Sequence, residues 1–142
     1  MAQIDAAPTV KVLIIEGHPA VRAALSQRLN ATPQLEVLTA TSSVAAALSW
    51  LELQNLSALP SESPDVIILG LQSADDDDLL FTVQEIRELL QYQAAVITLA
   101  PYADETERML LQAAGIKQYL LKHINSNQLI QEIQKAAFED AG

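Results

Sequence analysis

The sequence predicts an α/β protein whose doubly wound parallel sheet is covered by helices on both faces, and three observations carry that expectation. Short branched apolar runs alternate with helical patterns through five strand-then-helix repeats, at about the spacing of βαβ units. The stretch Val66 to Leu71 (VIILGL), introduced by Pro64-Asp65, is the longest unbroken apolar run and reads as a central strand buried on both faces. In an open parallel sheet the carboxyl end of such a strand, near the reversal of strand order, is where ligands and chemistry are placed. That position holds Gly70, which has no side chain to offer.

Each element follows in turn. Val10 to Glu16 (VKVLIIE) is a strand, Gly17-His18-Pro19 a turn, and Val21, Ala24, Leu25 and Leu29 the apolar stripe of a first helix that Thr32-Pro33 ends. Leu35 to Thr41 is a second strand, and Ser42 or Ser43 caps a helix carrying Val44, Ala45, Leu48, Leu51 and Leu53. From Asn55 to Pro64 the chain is rich in Pro and Ser and reads as a surface loop. After the central strand, a third helix turns Leu79, Leu80, Val83, Ile86 and Leu90 inward. Ala94 to Ala100 is the fourth strand, Asp104 and Glu107 form a capping arrangement for a helix ending at Gly115, and Lys117 to Lys122 is the fifth strand. Asn125 or Ser126 starts a last helix with Leu129, Ile130, Ile133 and Ala137 toward the sheet. The expected organisation is one domain over residues 10–138, with a frayed start at 1–9 and a tail at 139–142.

Composition narrows the function. Cysteine is absent, which excludes disulfides, thiol catalysis and cysteine-ligated metal centres and favours a cytoplasmic setting. No charge-free apolar stretch approaches the roughly 18 residues of a membrane span. Eighteen acids against eight bases give a formal charge of −10, so the surface as a whole repels phosphate backbones and anionic lipid, and direct nucleic-acid or membrane binding is not expected.

Four phrases in the right order, VLIIEGHP, PDVIILGL, VITLAPY and AAGIKQYLLK, resemble the CheY-like receiver domains of response regulators, over about Val10 to Ala137. The His18-Pro19 turn and Lys122-His123 are most similar to receivers of helix-turn-helix (LuxR-type) transcription regulators, although no such output segment follows the fifth helix. The resemblance implies a flavodoxin-like fold with strand order 2-1-3-4-5. It also implies a phosphorylation switch built from a carboxylate nucleophile after strand three, paired acids for Mg²⁺ after strand one, a hydroxyl after strand four and a lysine after strand five. Here those positions hold Gly70, Glu16 with Gly17, Ala100 and Lys122, and Tyr119 matches the aromatic whose rotation reports activation.

Glycine at the acceptor position abolishes an aspartyl-phosphate, and Glu16 alone is a poor site for a hard, octahedral cation, so no phosphorylation, tight metal or cofactor is expected. Asp75-Asp76-Asp77-Asp78 suits the start of a helix better than a cation site, because adjacent acids on a helix diverge. His18 and His123 lack converging acids, and Ser73 and Thr98 lack an evident base. The expected function is a phosphorylation-independent receiver-like module that is not an enzyme. It would act through a protein partner (a signalling kinase, regulator or output domain) on a surface such as the face of helix four, strand five and helix five, with a homodimer as a further form. The alternatives are a phosphorelay receiver with an unusual acceptor such as Asp75, or a small-molecule binder using the crevice near Gly70. With Ala100 small and no phosphate to hold, Tyr119 is expected to turn inward or be free to turn, and Lys122 to reach Glu16.

Overall fold

Alternation along the strands decides which helix covers which face of the sheet. The computed structural model describes residues 9–56, 63–72 and 76–141, the side chains of 76–78 and 139–141 excepted. In chain order the elements are β1 (Val10–Ile15), α1 (Pro19–Asn30), β2 (Leu35–Thr41), α2 (Val44–Leu56), β3 (Val66–Gly70), α3 (Asp76–Leu90), β4 (Ala95–Ala100), α4 (Glu105–Ala114), β5 (Gln118–Leu121) and α5 (Ser126–Ala141). The five strands pair in parallel in the order β2-β1-β3-β4-β5. The central position of β3 and the strand order both agree with the sequence reading.

Because successive side chains of a strand point to opposite faces, each inner strand feeds two cores. Leu13, Ile15, Ile67, Leu69 and Val96 pack with Ala47 and Leu51 of α2, Ile86 and Leu89 of α3, and Leu111 of α4. Val12, Ile14, Val66, Ile68 and Ile97 pack with Leu29 of α1 and with Leu129, Ile133 and Ala136 of α5. The sheet is therefore sandwiched, with α2, α3 and α4 on one side and α1 and α5 on the other.

Helix ends follow the capping residues. Pro19 opens α1 while His18 Nδ1 accepts from the Val21 amide, Ser43 Oγ accepts from Ala46 N–H at 3.1 Å, and Asn125 Oδ1 accepts from Asn127 N–H at 2.8 Å. Asp104 Oδ1 accepts from Glu107 N–H at 2.9 Å to start α4, and Gly115 closes it in the left-handed region at φ 117°.

Several side-chain expectations are corrected. Ala45, Leu53 and Leu80 are exposed, and Ala47, Leu89 and Ala136, each one position from the expected Leu48, Leu90 and Ala137, are the more deeply buried residues. Val21 is 40% exposed because α1 stands off from α5 and leaves a groove between them. α5 runs through Ala141 into the segment expected as a tail, since nothing before Gly142 breaks the helical run. The start at residues 1–8 and residues 57–62 of the Pro/Ser-rich loop lie outside the described residues.

Gly115 offers a direct check on this packing, because an added Cβ would stand 2.8 Å from Leu90 Cδ1 in a backbone conformation that L-residues disfavour. Gly115→Ala should lower stability by about 1–2 kcal/mol, read as a shifted urea midpoint with an unchanged slope.

Candidate functional site

The carboxyl ends of β1, β3, β4 and β5 converge, and Glu16 lies at the centre. Its backbone is fixed on both sides: the amide donates to Thr41 O at 2.9 Å, and the carbonyl accepts from Arg22 Nη1 at 2.9 Å. The side chain is 1% exposed. His18 N–H donates to Oε2 at 3.0 Å. Lys122 Nζ stands 3.2 Å from Oε1 and is directed at Oε2, 3.4 Å away, so Oε1 is held by charge proximity without a directed hydrogen bond. A carboxylate this buried must be paired to be tolerated, and the lysine after β5 supplies the charge, as expected.

Gly70 explains how the carboxylate fits. A Cβ built on Gly70 would overlap Glu16 Oε1 and stand 3.0 Å from its Cδ. The space that a side chain at the end of β3 would enter is therefore filled by the side chain that follows β1. Gly17 is different, because a Cβ there meets nothing closer than Gln72 Nε2 at 3.5 Å. Its lack of a side chain is not forced by packing.

Ala100 is fully buried at the end of β4, and its carbonyl accepts from Lys122 N–H at 2.8 Å. Next to it, Tyr119 packs half-buried against the core that faces α2, α3 and α4. Its hydroxyl donates to Glu107 Oε1 at 2.5 Å, lies 3.3 Å from Tyr102 O, and accepts from Asp104 N–H at 3.3 Å. Tyr119 is thus turned onto the β4–α4 turn and anchored there. The freedom to rotate left open by the sequence is not what the contacts show. Glu107, read in the sequence only as part of a cap, gives its amide to Asp104 and its carboxylate to Tyr119.

A crevice of about 650 Å³ opens beside these residues, lined by Gly17, His18, Ser42, Gly70, Phe81, Glu85 and Glu107 among others. The sequence reading missed Phe81 and Glu85, whose only signal is their one-turn spacing on the third helix. Glu85 has its carboxyl pushed above the usual range by burial and, secondarily, by Glu88.

The donor set does not fit a hard dication. Glu16 is already neutralised by Lys122, Gly17 and Gly70 contribute no carboxylate, and among the described residues no three His, Asp or Glu side chains converge. His18 is committed to the α1 cap and His123 is exposed in the turn after β5. Thr98 is buried within β4, with its hydroxyl 3.4 Å from Gln118 O. Asp76, Asp77 and Asp78 begin α3, as expected of a helix start; their side chains, with Ser73 and Asp75, lie outside the described residues.

Burial, then the hydrogen bond to and the charge of Glu107, raise the Tyr119 phenol well above its ordinary value, and the Asp104 amide opposes them only in part. The folded protein therefore keeps this proton while the unfolded chain loses it above about pH 10. The contribution is complete below that pH and declines as pH rises beyond it. Tyr119→Phe should flatten the fall in urea stability between about pH 9 and about pH 11.5, and a fall of unchanged steepness would refute the anchored phenol.

Comparison with known proteins identifies the fold and the family. The model of the response regulator receiver domain family matches residues 12–134. The DNA-binding transcriptional activator DevR/DosR of Mycobacterium tuberculosis is 27% identical over 131 residues, 88% of this chain and 53% of that protein. The transcriptional regulatory protein LiaR of Bacillus subtilis is 28% identical over 128 residues, 90% of this chain and 56% of that protein. The chain thus spans about half the length of the curated relatives it matches. Among solved structures, a LuxR-family DNA-binding response regulator from Staphylococcus aureus superimposes with a TM-score of 0.70 at 19% identity, over 90% of this chain and 98% of that one. A CheY-like receiver domain protein from Methanospirillum hungatei JF-1 gives 0.72 at 17% identity, over 94% and 97%. These structures share the fold. With its flavodoxin-like sheet and a family match across almost the whole of it, the chain belongs to the response regulator receiver domain family, the signalling domains of two-component systems.

Proposed function

We propose that this receiver domain signals without being phosphorylated, as a pseudo-receiver that works through protein–protein contacts. The observation that carries the reading is the Glu16 carboxylate lodged where a side chain on residue 70 would stand, with Lys122 already bound to it. Phosphoryl transfer depends on positioning a nucleophile and neutralising charge around it. Here the nucleophile position has no functional group, the lysine is engaged, and the end of β4 carries Ala100 in place of a hydroxyl.

Receiver domains exchange signals with kinases and output domains, and the outer surface of this one supports a protein partner. Met109 on α4 and Phe138 on α5 are 60% and 48% exposed, large apolar side chains on the outer surface of these helices. Such side chains suit a partner domain or a second copy of the chain. The charge of −10 argues against direct binding to nucleic acid. Among the described residues no helix is long and apolar enough to cross a membrane.

Incubation with acetyl phosphate and Mg²⁺ should leave the intact mass unchanged, and a stable phosphoryl adduct, at Asp75 or elsewhere, would refute the reading. The packing behind it has its own test. Gly70→Ala should destabilise the wild-type background, because Glu16 must leave Lys122 and the His18 amide, and should cost far less in a Glu16→Ala background. The expected coupling is about 1–3 kcal/mol, and additive effects would show that the two positions do not compete for one space.

A further inference from the structure

We propose that the crevice between the β1–α1 and β2–α2 turns and the α3–α4 pair binds an organic cation, an amine or guanidinium group carried on an apolar body. At about 650 Å³ it has the size of a small-molecule site, and it lies at the carboxyl edge of the sheet, where β1 sits between β2 and β3 and the direction of winding reverses.

The lining sets the charge of the ligand. Glu85 of α3 and Glu107 of α4 both face the crevice, and no lysine or arginine is among its described lining residues. The cations nearest the strand ends are committed elsewhere: Lys122 to the Glu16 carboxylate, Arg22 to the Glu16 carbonyl. Lys122 and Glu16 line a separate groove of about 310 Å³ between α1 and α5. An anion entering the crevice would meet carboxylates without a counter-charge, whereas a cation would offset the burial that raises the Glu85 carboxyl.

The walls set the body of the ligand. Ile15, Val44, Leu69 and Leu71 supply apolar surface, and Phe81, 56% exposed, offers an aromatic ring to a cation. Ser42, Thr82 and Gln72 add polar groups. Glu107 links the crevice to the anchored phenol, because its Oε1 accepts from the Tyr119 hydroxyl at 2.5 Å. Occupancy would therefore be felt at the β4–α4 turn without any phosphoryl chemistry.

Three probes with one body and different charge test this: phenethylamine, 2-phenylethanol and phenylacetate, titrated into the ¹⁵N-labelled chain. Phenethylamine should shift the amides of Gly17, Gly70, Phe81 and Glu107 and bind about tenfold tighter than either other probe. Glu85→Gln and, independently, Phe81→Leu should each weaken it several-fold, while Glu52→Gln, which removes the same charge from the exposed side of α2, should not. Acetyl-Leu-Lys-Leu-amide separates the sources of the cation. Tighter binding of the peptide at the same amides assigns it to a partner protein's side chain, and tighter binding of phenethylamine to a free small molecule. Absent binding, equal binding of phenylacetate, shifts located elsewhere, or indifference to both crevice variants would overturn the proposal. None of these outcomes would alter the acetyl phosphate result, so the two readings fail separately.

Discussion

The end of the sheet depends on one buried ion pair, the Glu16 carboxylate held by Lys122 against the bare backbone of Gly70. An unpaired carboxylate at 1% exposure would cost several kcal/mol or take up a proton. The lysine and the His18 amide offset that cost, and glycine provides the room. The three positions are mutually dependent: a side chain at 70 displaces the carboxylate, loss of the carboxylate leaves Lys122 without its partner, and loss of the lysine strands a buried charge. Gly70, Glu16 and Lys122 are thus parts of one arrangement. Gly17 is the exception, since its surroundings would accept a side chain.

The same arrangement reaches the neighbouring helix through hydrogen bonds and a short length of chain. Lys122 N–H donates to the carbonyl of Ala100, which is fully buried at the end of β4. Tyr119, three residues before Lys122, fills space on that side and ties its hydroxyl to the start of α4. Glu16, Lys122 and Tyr119 are therefore each held by a partner inside the chain. On the function proposed above, the signalling state of such a domain would be set by what binds its surface or its crevice.

The strands were legible because long branched apolar runs leave few alternatives, their order because the resemblance to receiver domains implied it, and the helix caps because Ser43, Asp104, Gly115 and Asn125 act locally. Helix faces were less so. Val21 and Ala24 keep the spacing of a buried stripe, but spacing does not tell how closely the opposite helix approaches, and here α1 stands off from α5. Leu53 and Leu80 show the same limit, as exposed apolar residues close to the buried Leu51 and Leu79. At the site, the resemblance implied which groups were missing and brought Lys122 and Glu16 to neighbouring strand ends, where their opposite charges paired them. It could not show that Glu16 folds back over Gly70, which depends on a rotamer and a gap, nor that Glu107 divides its amide and carboxylate between a cap and Tyr119. Phe81 and Glu85 became site residues only when α3 and α4 were placed beside the β1 and β2 turns.

Beryllofluoride, which occupies the phosphoryl position only where a free carboxylate receives it, tests the central claim most directly. With Mg²⁺ present, the ¹H–¹⁵N amide spectrum of the chain should stay unchanged at Gly70, Ala100 and Lys122. Saturable shifts at those amides would show that the seat is open, and would contradict a site closed by its own glutamate.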